Sequence, residues 1–97
     1  MAQASTKIKS NLRPVVDLKE PPLFKVIYIN DNTTSVEFVI SSLMEHFSYT
    51  SDTAEDLAHR IHESGSAVVA VLPYEIAEQK GIEVTVMART SGYPLQI

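Results

Sequence analysis

Leu23-Phe24-Lys25-Val26-Ile27-Tyr28-Ile29-Asn30-Asp31-Asn32-Thr33-Thr34-Ser35-Val36-Glu37-Phe38-Val39 carries the chain from one kind of secondary structure into another. Leu23 to Ile29 is rich in β-branched and aromatic residues and stops at a polar cluster, which is a strand pattern. Its near-continuous apolarity predicts burial on both faces. Thr34-x-x-Glu37 then matches a capping box, in which hydroxyl and carboxylate satisfy the N–H groups left free at a helix start. A helix should begin near Ser35. The junction sets hydrogen-bond acceptors beside apolar side chains, the combination needed to hold a small cation attached to a hydrophobe. Asn and Asp are also common wherever a strand turns into a helix, because they bond local backbone groups. Taken alone, the junction is better explained as a cap.

Downstream, Val36, Val39, Ile40, Leu43, Met44 and Phe47 recur at helical spacing as one apolar stripe. Ser48-Tyr49-Thr50 breaks it, and Ser51 or Asp52 can cap a second helix with Ala54, Leu57, Ala58 and Ile61 on its apolar face. His62 borders that face. This helix should end near Ser64, with Gly65 supplying the positive φ that helix ends use. Ala67 to Leu72 is valine-rich and short, hence a buried strand. Pro73 suits the first position of a third helix running to about Arg89 across Gly81. After a Ser91-Gly92 turn, Tyr93 to Ile97 reads as a short edge strand around Pro94. The predicted order is β-α-α-β-α-β, an α/β chain folded as an α+β two-layer sandwich. Residues 1–22, ending in Pro21-Pro22, read as a flexible arm, and residues 23–97 as a single core domain.

With 97 residues and 44% apolar content, the chain suits one modest core. It has no cysteine, so neither disulfides nor thiolate metal sites contribute. No apolar run approaches the ~20 residues that span a bilayer, and no secretion signal is visible; a cytoplasmic protein without membrane attachment is expected. The arm holds Lys7, Lys9, Arg13 and Lys19 against Asp17 and Glu20, a balance of +2. The remaining residues hold four basic and ten acidic side chains, hence −6. An acidic domain repels phosphate backbones, so a cationic ligand or partner is expected and nucleic acid is not.

Covalent catalysis needs a nucleophile, a base and an orienting group, and scattered Ser, Thr and His assemble none of these. The chain is read as a non-enzyme. His59-x-x-His62-Glu63 shares a helix face, but a third metal ligand would have to be Asp31 or Asn32. One surface and one half-buried histidine is the preferred account, with no metal and no cofactor.

Pro22-x-Phe24-Lys25-Val26-Ile27, followed by Asn30-Asp31-x-x-Thr34-x-x-Glu37-Phe38-Val39, resembles the ClpS family of bacterial and plastid N-end-rule adaptors. The likeness continues through Phe47, His62-x-x-Gly65, Ala67-Val68, Glu75-x-Ala77-Glu78-x-Lys80 and Pro94-Leu95. It implies an adaptor that binds N-degron proteins by a bulky hydrophobic first residue (Leu, Phe, Tyr or Trp) and delivers them to the ClpA or ClpC unfoldase for degradation by ClpP. By that resemblance, Asn30, Asp31 and His62 accept from the α-ammonium. Asn32, Thr34, Val36, Val39, Ala58, Ile61 and Leu95 surround the first residue's side chain and backbone, and Glu75 and Lys80 face the unfoldase. Asn32 stands where the family usually has Asp, and Val36 and Ala58 where it commonly has Met, implying a wider cavity. A monomer is expected. The alternative is an interaction domain similar to the C-terminal domain of the ribosomal stalk protein, which shares the topology.

Overall fold

The computed structural model describes residues 21–97, so the arm expected over residues 1–22 lies outside the described residues except for Pro21 and Pro22. Five elements follow in the order β-α-α-β-α: β1 (Leu23–Ile29), α1 (Val36–Phe47), α2 (Ser51–Ser64), β2 (Ser66–Pro73) and α3 (Tyr74–Thr90). β1 and β2 form a two-stranded antiparallel sheet, paired from Leu23 opposite Pro73 to Ile29 opposite Ser66. This is the expected α+β arrangement of one sheet layer and one helix layer.

All three helices gather on a single face of the sheet. Val26, Tyr28 and Val69 point into a core with Leu43, Ala54, Ile61, Val84, Ala88 and Leu95. The expectations that β1 is buried on both faces and that β2 is a buried strand fail here. Leu23, Ile27 and Ile29 of β1, and Val68 and Val71 of β2, remain exposed because nothing covers the opposite face among the described residues. Between Val26 and Ile27 the register slips, leaving Val69 as the extra residue of a bulge. The Val69 carbonyl accepts instead from the Tyr49 hydroxyl at 2.6 Å.

Helix ends differ in detail from the sequence expectations. α1 is capped by Ser35, whose Oγ accepts from the Phe38 N–H at 3.1 Å. Thr34 is not the cap, because its hydroxyl is taken by Asp31. α2 is capped by Thr50, which accepts from the Thr53 N–H, rather than by Ser51 or Asp52. It ends at Gly65, with φ of 89°, as expected. Pro73 closes β2 and stands just before α3 instead of within its first turn.

The expected sixth element is reduced to one bridge, Ile29 with Gln96, in which the Ile29 N–H donates to the Gln96 carbonyl at 3.0 Å. Pro94 has no N–H to give a ladder. The Arg89 guanidinium also takes the carbonyls of Tyr93 and Leu95, at 3.0 and 2.8 Å, and so ties this segment to α3.

Candidate functional site

The end of β1, the start of α1 and the end of α2 meet around a cavity of about 350 Å³. Two local features bring them together. β1 ends where Asn30 begins the polar run, and the Asn30 N–H donates to the Gly65 carbonyl at 2.9 Å. Gly65 terminates α2, its own N–H donating to Ile61 at 3.0 Å, so Ile61 and His62 are carried to the mouth of the β1–α1 junction.

The cavity has an apolar wall and a polar rim. Val36 and Val39 of α1 face Ala58 and Ile61 of α2, while Asn30, Asp31, Asn32, Thr34 and His62 line the opening. Thr33, Ser35 and Glu37 also line it. Sequence reasoning assigned Glu37 to a capping box and passed over the other two; the polar run itself was the signal that could have included them. Leu95 does not line the cavity. It is 1% exposed and lies in the core, and its carbonyl accepts from Arg89. Glu75 is exposed on the first turn of α3 and Lys80 is half-buried further along the same helix.

Asp31 organises the rim. Its Oδ1 accepts from the N–H groups of Thr33 and Thr34 at 2.8 and 2.7 Å, and its Oδ2 from the Thr34 hydroxyl at 2.8 Å. Oδ1 therefore has both lone pairs engaged, and Oδ2 keeps one. Desolvation pushes the Asp31 carboxyl up, but the Thr34 and Thr33 hydrogen bonds and the Arg89 charge outweigh it and hold the group below its ordinary value. It stays a carboxylate at neutral pH. Thr34 has spent its hydroxyl proton on Asp31 and can only accept from a ligand.

Asn30, Asn32 and His62 contrast with this. Among the described residues, no hydrogen bond engages their side chains. The site thus presents unused acceptors and one residual carboxylate lone pair above an apolar wall. That set suits a donor-rich cation carrying an apolar group. No three His, Asp or Glu side chains among the described residues converge as metal ligands.

A larger groove of about 480 Å³ runs between β1 and α3, past Phe24, Val26, Tyr74, Ala77 and Ile82. Only Lys25, Glu78 and Thr85 give it polar side-chain groups besides the Tyr74 hydroxyl, and that hydroxyl is bonded to Glu78 at 3.0 Å. Lacking convergent acceptors, it is a weaker candidate than the smaller cavity.

The chain is similar to known proteins over most of its length. The family model of the ATP-dependent Clp protease adaptor protein ClpS matches residues 19–97. The Clp protease adapter ClpS of Helicobacter hepaticus is 41% identical over 80 residues, covering 82% of this chain and 81% of that protein. That of Sodalis glossinidius is 39% identical over 92 residues, covering 95% and 81%. Among solved structures, Agrobacterium tumefaciens ClpS2 bound to L-phenylalaninamide superposes with a TM-score of 0.77 at 39% identity, covering 79% of this chain and 93% of that one. These relatives are adaptors and not enzymes, and none of the helices described here is long and apolar enough to cross a membrane. On this breadth of similarity, the chain belongs to the ClpS family of adaptors for the ATP-dependent Clp protease.

Proposed function

We propose that the cavity binds the first residue of proteins bearing Leu, Phe, Tyr or Trp at a free N-terminus, and that the chain delivers them in the cytoplasm, as a monomer, to the ClpA or ClpC unfoldase for degradation by ClpP. The observation that carries the reading is the pair of unengaged side chains, Asn30 and His62, held above the Val36, Val39, Ala58 and Ile61 wall. An α-ammonium has three donors and no acceptor, so it selects such a rim. Phenylalaninamide, the ligand of the Agrobacterium relative, has an α-amino group, a benzyl side chain and an uncharged amide where a peptide would continue. It is chemically the first residue of a chain.

In this reading the Asn30 carbonyl oxygen, the His62 imidazole and the spare Asp31 lone pair accept from the ammonium, and Thr34 and Asn32 meet the ligand backbone. The apolar side chain enters between Val36 and Ala58. Burying one large side chain contributes about 1.5–3 kcal/mol, and each bond to the ammonium about 1.5–3 kcal/mol. After association costs, the dissociation constant is on the order of micromolar, a reversible grip suited to hand-over. Glu75 and Lys80, on the opposite flank of the fold, would face the unfoldase. A fluorescence titration with a Phe-initiated peptide and its acetylated twin tests the reading: only the free amine should bind, and equal affinities would refute it.

A further inference from the structure

The first acceptors of the rim follow β1 and the first wall residues lie on α1, and one buried polar contact joins these two elements. Tyr28 on β1 and Ser42 on α1 are both fully buried, with 2.8 Å between Oη and Oγ. The Ser42 hydroxyl donates to the Val39 carbonyl at 2.8 Å, so its single proton is used and Tyr28 is the donor in their contact. Burial pushes the Tyr28 phenol up to about 12, which keeps that proton in place. Tyr28 precedes Asn30 by two residues, and Ser42 follows Val39 by three. The contact therefore closes the base of the loop that supplies both the acceptors and the first wall of the cavity.

We infer that Tyr28 and Ser42 are positioning residues, a clamp that fixes the spacing between the acceptors at Asn30 and Asp31 and the wall at Val39. An apolar pair would bury as well, and replacing both partners of a buried hydrogen bond by apolar groups is close to neutral for stability. Apolar contacts, however, tolerate sliding of a helix along a strand, whereas a chain of directional bonds from Tyr28 through Ser42 to the Val39 carbonyl does not. The gain from this polar pair is placement. The inference rests on the proposed N-terminal-residue site.

The test uses the double variant Tyr28→Phe/Ser42→Ala, which leaves no unsatisfied hydroxyl, with Tyr28→Phe alone as the conservative control. Both should melt near the unmodified chain, yet the Kd for the Phe-initiated peptide should rise three- to tenfold in the double variant and at least twofold in the single one. Amide exchange at Thr34 and Phe38 should quicken while that at Leu57 does not, a pattern that general destabilisation would not give. A double variant that binds within twofold of the unmodified chain overturns the clamp; should it fail to fold, an unchanged Kd in Tyr28→Phe does so. If the unmodified chain does not distinguish free from acetylated peptide, the N-terminal reading falls by itself. Exchange then decides: faster exchange at Thr34 and Phe38 supports the clamp, and unchanged exchange overturns it.

Discussion

The N–H of Asn30 donates to the carbonyl of Gly65 at 2.9 Å, fastening the first residue after β1 to the residue that ends α2. Gly65 can accept this bond because its φ of +89° turns the chain out of the helix at that point. A Cβ added there meets nothing within 4 Å, so any cost of substitution lies in the backbone and not in a clash. Gly65→Ala should cost about 1–2 kcal/mol, lowering Tm by roughly 4–8 °C per kcal/mol. Because His62 is carried by the same turn, peptide affinity should also fall in a titration run well below Tm. Gly65→Asn, which tolerates the left-handed region better, should lose less.

His62 is exposed and bonded to no described residue, so its removal should leave the fold intact. His62→Ala should melt within about 0.5 kcal/mol of the unmodified chain. Losing one acceptor to an ammonium should weaken Phe-initiated peptide binding roughly ten- to a hundredfold. An unchanged Kd by calorimetry would remove His62 from the site.

Asp31 gives a pH dependence of known sign. Its folded carboxyl is held below the ordinary value, so its contribution is fully present above about 3.9 and is lost only as pH falls through the lowered folded value. The Thr34 amide resonance, followed by NMR from pH 5 downward, should move with a midpoint below that ordinary value. In Asp31→Asn the inflection should vanish, and a midpoint at or above the ordinary value would contradict the hydrogen-bonded geometry.

Val36 and Ala58 line the cavity from α1 and α2. Ala58→Met and Val36→Met place longer chains against a space of about 350 Å³. Trp-initiated peptides should lose several-fold more affinity than Leu-initiated ones, as read by competition binding. A preference that does not move would show that the walls at these two positions do not select the ligand.

Much of the fold was legible because it rests on local periodicity. The stripe from Val36 to Phe47, the Gly65 stop and the valine-rich run before Pro73 each locate an element without knowledge of its neighbours. What was not legible depended on contacts distant in sequence. Tyr93 to Ile97 has strand composition, but Arg89 takes the Tyr93 and Leu95 carbonyls and leaves one bridge. Thr34 has a capping sequence, yet the Asp31 carboxylate competes for its hydroxyl and Ser35 caps instead. Of the candidate site, the residues around Asn30, Val39 and Ile61 that line the cavity stood out by their pattern and family likeness. Leu95 is buried in the core and not in the cavity lining, and an apolar residue near a pocket and one beneath it look alike in sequence.

The Val69 bulge, whose carbonyl is held by the Tyr49 hydroxyl, bears on how the domain assembles and comes apart. Pairing on one side of the bulge sets Val26 opposite Ala70, and on the other Ile27 opposite Val68. The two strand halves thus follow different alignments, and the carbonyl of the residue that switches between them accepts from the turn joining α1 to α2. Ribbon and helices are thereby tied at a point distant in sequence, since the Tyr49 hydroxyl joins the α1–α2 turn to the middle of β2. Loosening either layer should therefore loosen the other, and with it the cavity, the cooperative behaviour usual for a domain of this size.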